Sequence, residues 1–379
     1  MARIIAGSYM VRYPLGGMMS WTLQWLVGLH RLGHEVIFVE KSHYSHSCYN
    51  PLTRESTDDC AYGLRVVTDL LAHCGLDDGF CYVDFAGNHH GMSRAEIGEC
   101  FRTADLFLDL GTHGAWLEEA SDAALRVLVD GEPGYTQIRM EQGLFGEPSR
   151  YDRYFSNGAN IGTTYCSAPT AGREWKPVFN PVVTDLFDAA SPPPNSRYST
   201  VMNWQSHAPC EYLGRQYGQK DVEFARFMDL PRHVVAGMEI AVSGSKVPMH
   251  EIQAAGWQVR DAQEVTISYD AYRDYISNCR GEFSVCKNIF VGLQTGWFSD
   301  RSAAYLASGR PVVLQDTGFS RHLPVGEGLF AVNDMEEAAA AIAEIEADYD
   351  RHSVKAREIA CEHLEADVIL RKFLDEIGF

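Results

Sequence analysis

The stretch Ser299-Asp300-Arg301-Ser302 stands just ahead of an Ala- and Leu-rich helical pattern, Ala303 to Ser308, and is suited to holding an anion. The first turn of a helix leaves backbone N–H groups free and carries the positive end of the helix dipole, so phosphate is its natural guest. Gly309 stops that helix, Arg310-Pro311 turns the chain, and Val312-Val313-Leu314 reads as a buried strand ending in Gln315-Asp316-Thr317-Gly318. Polar residues and a glycine at the C-terminal end of a parallel strand lie where open α/β sheets bind ligands, which makes Asp316, Thr317 and Gly318 candidates too. Lys287, set in the apolar run Phe283 to Phe290, and Lys246, behind the strand-end loop Ser243-Gly244-Ser245, add positive charge.

A second group suits acid–base work. The strand pattern Asp105 to Leu110 ends in Gly111-Thr112-His113-Gly114, and Arg126 to Asp130 ends in Gly131-Glu132-Pro133-Gly134. Asp109, His113, Asp130 and Glu132 are therefore the candidates for a general base at a sheet edge. Near the N-terminus, Tyr13-Pro14-Leu15-Gly16-Gly17 forms a strand-to-helix loop. Tyr13, Gly16 and Gly17 are candidates there, because a double glycine lets a substrate approach the backbone. No strict G-x-G-x-x-G is present, so dinucleotide binding is not indicated. His89-His90 and the His43/His46 pair lack a third ligand at metal-binding spacing and read as solvated loop histidines.

The elements that position these groups alternate between strand and helix. Arg3 to Gly7 is a strand, Ser20 to Leu32 a helix capped by Ser20, and Glu35 to Glu40 the next strand. Tyr44 to Cys60 is expected as a long polar loop, followed by a helix from Ala61 to Cys74 and a capped helix from Ser93 to Thr103. Ser191-Pro192-Pro193-Pro194-Asn195 is the clearest linker, and a second α/β series opens behind it with Ser199 to Trp204. Helical regions are expected at Met335 to Tyr349 and Arg351 to Phe373. The pattern predicts an α/β protein with two Rossmann-like domains, 1–190 and 191–379, facing across a cleft.

The segment Ala307-Ser308-Gly309-Arg310-Pro311-Val312-Val313 resembles the donor-nucleotide element of GT-B glycosyltransferases, especially the bacterial group 1 type. The opening strand, Gly-Gly loop and helix ending Leu32-Gly33-His34-Glu35-Val36 resembles the start of their N-terminal domain. The position of the family's ribose-holding glutamate is Ala304 here, with Asp300, Arg301 or Ser302 as candidate substitutes. The resemblance implies a transferase with a nucleotide-sugar as co-substrate and no other cofactor. Its donor would bind the C-terminal domain at Gly244, Lys246, Lys287, Ser299 to Ser302 and Asp316 to Gly318. A small or neutral acceptor would sit on the N-terminal domain, beside the candidate bases. It also implies terminal helices that brace the cleft; because the sequence holds no metal motif, a leaving diphosphate is expected to be stabilised by helix N-termini, backbone N–H groups and Lys or Arg without a metal. Two alternatives share the architecture: a nucleotide-sugar epimerase, and a non-catalytic sugar-nucleotide-binding protein.

Composition narrows the partners. With 379 residues, 46% of them hydrophobic, the chain can bury a large core. The formal net charge of −19 disfavours nucleic acid and anionic membranes as partners. No apolar run reaches the roughly 20 residues of a membrane span, and Met1 to Gly7 lacks a signal-peptide core, so a cytoplasmic setting is expected. The ten scattered cysteines contain no C-x-x-C pair and read as free thiols.

Overall fold

The computed structural model describes residues 1–206 and 208–379. Two sheets organise them. The first has eight strands in the order Trp175–Pro177, Arg153–Ser156, Arg126–Asp130, Leu106–Asp109, Arg3–Gly7, Glu35–Lys41, Phe80–Val83 and His89–Gly91. All of its neighbours run parallel except the last pair, where Cys81 faces Gly91 in antiparallel register. The second is wholly parallel, with six strands in the order Gln258–Asp261, Met238–Ser243, Tyr198–Asn203, Gly281–Ser284, Val312–Gln315 and Leu329–Val332. This is the α/β architecture of two Rossmann-like units that the alternating pattern predicts.

Both faces of the first sheet are buried, as a parallel sheet requires. Along Arg3–Gly7, Ile4 and Ala6 join one core with Leu106, Leu108 and the helix Gly16–Arg31, while Ile5 joins the other with Phe107 and Phe101. The last helix, Ala366–Ile377, packs into the first of these cores through Leu370 and Phe373, and Phe373 meets Trp25 edge-on at 5.7 Å. The C-terminus of the chain is thus built into the packing of the N-terminal sheet. Gly28 permits the approach: a Cβ there would lie 2.4 Å from Leu370 Cδ1.

Four local expectations are corrected. The first helix begins at Gly16, with Leu15 at its N-cap, and Ser20 is a buried interior residue rather than the cap. The expected loop from Tyr44 to Cys60 holds a short hairpin, Cys48–Asn50 with Glu55–Thr57. The helix at the anion-binding motif begins at Asp300 rather than Ala303, because the Ser299 hydroxyl accepts from the Arg301 N–H and caps it one turn earlier. The helical region from Arg351 is interrupted: Tyr349–Ile359 passes through a π turn, Ala360–Leu364, before Ala366–Ile377. No helix among the described residues is long and apolar enough to cross a membrane.

Strand order marks where a ligand belongs. In the first sheet, Arg3–Gly7 lies between Glu35–Lys41 and Leu106–Asp109, so the chain winds outward in both directions from it. In the second, Tyr198–Asn203 lies between Met238–Ser243 and Gly281–Ser284. At such switch points the loops leave the sheet on opposite faces and open a crevice beyond the strand ends.

Candidate active site

A cavity of about 450 Å³ lies between the C-terminal edges of the two sheets. Tyr9, Gly17, Trp21, His113 and Asp130 to Glu132 line it on one side, and Asn203, Ser243, Thr266, Tyr272, Asp300 and Arg301 on the other. Its walls include residues at or just beyond the strand ends of both switch points, among them Tyr9 and Asn203.

On the first side, the buried Glu40 carboxylate builds the loop. It accepts from the Met10 N–H at 2.7 Å, the Val11 N–H at 2.7 Å, the Arg12 N–H at 3.0 Å and Arg12 Nε at 3.1 Å. That wraps Ser8 to Arg12 around one charge and sets Tyr9 on the cavity wall. Trp21, one turn into the first helix, donates to Asn180 Oδ1 at 2.9 Å. Gly17 lines the cavity, whereas Gly16 is a packing position: a Cβ there would meet Tyr272 Cβ at 2.4 Å and Ser268 O at 2.5 Å on the other side of the cleft. Tyr13 does not line the cavity; its hydroxyl bonds Tyr44 at 2.7 Å, and burial with that bond pushes it up to about 12.

The candidate bases have separate surroundings. Asp109 is fully buried and accepts from Gly111 N, Thr112 N, Gly114 N and the Tyr151 hydroxyl at 2.6–3.0 Å, so its oxygens shape the loop that carries His113. His113 lines the cavity with left-handed backbone, φ 53°, and packs against Phe145. Asp130 accepts from the Glu132 N–H, Gln137 and Ser156; burial pushes its carboxyl above the usual range against those bonds. Glu132 points across the cleft, and both its oxygens lie 2.6 Å from Lys287 Nζ.

The second side carries Arg301 on the cavity wall, with Lys220 and Lys287 near it but off the wall. Arg301 is 8% exposed and each of its nitrogens donates: Nε to Glu282 at 2.6 Å, Nη1 to Val201 O at 2.8 Å and Nη2 to Ser284 Oγ at 2.6 Å. Its guanidinium still forms part of the cavity wall. Lys220, half-buried at the start of the helix Lys220–Phe224, has no hydrogen bond or ion pair among the described residues. Burial, then the charges of Arg301 and Lys287, pull it down to about 7. Arg301 and Lys287 are paired with Glu282 and Glu132, so Lys220 is the cation of the three without a partner among the described residues, and a bound anion would offset its repulsion from the other two.

Of the remaining motif residues, Asp300 alone lines the cavity. Ser302 is fully buried and Ser299 is spent on its helix cap; neither lines the cavity. Asp300 does line it, with burial raising its carboxyl against the neighbouring Arg301. Gly244, with φ 105°, and the exposed Lys246 follow the cavity-lining Ser243 but lie off the wall. Asp316, Thr317 and Gly318 belong to a junction between the two sheets. The Asp316 carboxylate accepts from Gly318 N and Ser320, Thr317 Oγ1 donates to Trp297 O at 2.6 Å, and Gly296 N donates to Thr317 O at 2.7 Å. Asn160 of the first unit closes this junction, donating to Gln294 O at 3.0 Å and meeting His322 at 2.8 Å. Trp297 lines the cavity, while Trp204 is core, packed on Phe224. Sequence reading missed Lys220, Tyr9, Trp21, Asn180 and Tyr272. Only Lys220, a lysine opening a helix after Gly218-Gln219, carried a local signal.

No family model matches the chain, and no curated protein matches it in sequence. Solved structures do. An alpha-glucosyltransferase in complex with UDP and a 13-mer DNA aligns over 100% of this chain and 99% of its own, with TM-score 0.61 at 12% identity. Anabaena Alr3699/HepE in complex with UDP and glucose aligns over 100% of both chains with TM-score 0.57 at 11% identity. AviGT4, a glycosyltransferase involved in avilamycin A biosynthesis, covers 99% of this chain with TM-score 0.54 at 13% identity. The chain has the GT-B fold over its full length.

Proposed function

We propose that this protein is a glycosyltransferase that moves a sugar from a nucleoside-diphosphate donor to a small or neutral acceptor without a divalent metal. The observation that carries the reading is the set of cations Lys220, Lys287 and Arg301 beside the N-terminus of Asp300–Ala307, opposite the Asp130–Glu132 strand end. A leaving diphosphate gains negative charge, and preorganised cations aimed at it lower the barrier. Two of these similar structures hold UDP, so UDP-sugars are the first donors to test. In this reading residues 1–190 carry the acceptor and 191–379 the donor.

The Lys287–Glu132 pair gives the reaction an order. A diphosphate that takes Lys287 releases Glu132, whose carboxylate then faces the acceptor hydroxyl. The bond from the anomeric carbon to the diphosphate breaks, its electron pair leaves with the diphosphate, and the acceptor oxygen bonds to that carbon while its proton passes to Glu132. His113 is the second candidate at the same wall. The net charge of −19 opposes a polyanionic acceptor, so the DNA bound by the alpha-glucosyltransferase is not carried over.

The test is a thermal-shift screen of UDP-, TDP- and GDP-sugars, followed by mass spectrometry of an acceptor pool. A mass gain of one sugar on an acceptor, undiminished by EDTA, is expected. Donor turnover without transfer points to an epimerase or hydrolase, and binding with no turnover to a sugar-nucleotide-binding protein. Activity abolished by EDTA and restored by Mg²⁺ or Mn²⁺ overturns the metal-free mechanism.

A further inference from the structure

The hairpin Cys48–Asn50/Glu55–Thr57 springs from the first sheet and touches the second. Tyr49 donates to Gln263 Oε1 at 2.7 Å, and Arg54 pairs with Asp261 at 2.6 Å. At the hairpin's base, outside the cleft, lies Cys60, the N-cap of the helix Ala61–His73. Its Sγ is 3.9 Å from His90 Nε2, and that nitrogen is 3.0 Å from Asp84 Oδ2. All three donor atoms lie within 4.8 Å of one another.

Thiolate, imidazole and carboxylate are the three donor types that zinc combines. With Zn–S about 2.3 Å and Zn–N and Zn–O about 2.0–2.2 Å, tetrahedral donors stand roughly 3.4–3.7 Å apart. The observed spacings need side-chain shifts on the order of 1 Å to reach that geometry. We propose that Cys60, Asp84 and His90 bind one thiophilic divalent cation of the zinc type, with a fourth position open to water.

The surroundings suit a ligand set. Cys60 is 8% exposed, and the Asp84 and His90 side chains are partly covered, at 14% and 33% exposure. Asn88 orients the carboxylate, its N–H donating to Asp84 Oδ1 at 2.9 Å and Nδ2 to Oδ2 at 3.0 Å, as outer-shell partners orient metal ligands. The His90 ring leans on Tyr82 at 6.0 Å. The cation replaces the His90–Asp84 hydrogen bond and the thiol proton, which leaves to solvent; thiolate and carboxylate then neutralise it. Because the ligands come from the segment before a helix and from both sides of the Asp84–Asn88 turn, the cation fixes the base of the hairpin that spans the cleft. This site neither uses nor needs the proposed transfer reaction.

The experiment strips the full chain with EDTA, reloads it with ZnCl₂ against a chromophoric chelator, and counts bound zinc by native mass spectrometry. One zinc per chain is expected, retained by His89→Ala and lost in Cys60→Ser and His90→Ala. Loading the unaltered protein with Co²⁺ gives a reading that does not depend on variants folding: a thiolate-to-cobalt charge-transfer band is expected. No retained zinc, absence of that band, or full retention by both folded ligand variants overturns the proposal.

Discussion

Two ion pairs at the cleft differ in where their partners come from. Arg301–Glu282 joins residues of the second unit, with side chains 9% and 0% exposed, and the guanidinium also serves Val201 O and Ser284. Lys287–Glu132 joins the two units, and its glutamate is 36% exposed. The first pair is nearly buried and its guanidinium is held by three acceptors, so it acts as a fixed charge at the cavity wall. The second is open to solvent at its glutamate, and in the proposed reaction the donor diphosphate takes its lysine. A buried pair holds a wall in place, whereas a pair spanning a cleft ties two units together through a contact that solvent reaches.

Glu132→Gln tests that contrast most severely. In the proposed reaction Glu132 accepts the proton of the acceptor hydroxyl, so its loss lowers kcat by about 10²–10⁴-fold. The neutral side chain also releases Lys287, so donor Kd tightens; a fall in kcat with weaker donor binding would reduce Glu132 to a brace. Arg301→Ala leaves Glu282 buried without its cation and lowers unfolding free energy by about 3–5 kcal/mol, read from the denaturant midpoint. Full stability in that variant would mean Arg301 is not the wall's anchor. Lys287→Ala weakens UDP-sugar binding by about 1.5–3 kcal/mol by calorimetry, with less loss of stability than Arg301→Ala. Equal affinity would remove Lys287 from the donor site.

The smallest effect is a pH dependence. Lys220 sits near 7, so it is charged below that value, and donor affinity weakens as pH rises through about 7. Lys220→Met flattens that slope, with the phosphate's own titration common to both proteins. Stability moves the other way: between about 7 and the ordinary lysine range the unfolded chain binds the proton that the folded chain has lost, so stability of the unliganded protein rises with pH there. A pH-independent difference between the two proteins would place the titration elsewhere.

Alternation of apolar strands with capped helices determined the two sheets from sequence alone, because burial on both faces of a parallel strand leaves a continuous apolar run and each crossover needs a helix. Ser93 as a helix cap and the acidic strand end Asp130–Glu132 at the cleft follow from the same local rules. Helix starts were less legible: Ser20 looks like a cap, but the close packing of Gly16 against Tyr272 lets the helix begin a turn earlier. The hairpin at Cys48–Thr57 hid in polar residues without alternation, and its contacts are with distant Asp261 and Gln263.

Residue chemistry was legible, but its employment was not. Asp109 and Glu132 read alike as acids at strand ends, yet Asp109 spends its oxygens on three backbone N–H groups and Tyr151, while Glu132 reaches Lys287 across the cleft. Lys220, Arg301 and Lys287 are far apart in the chain and form one cationic set only when the second sheet assembles. Local sequence sets which groups a strand end or helix start presents. Which of them stay free depends on partners from other segments, because a buried polar group takes whichever partner the packed structure brings within hydrogen-bond reach.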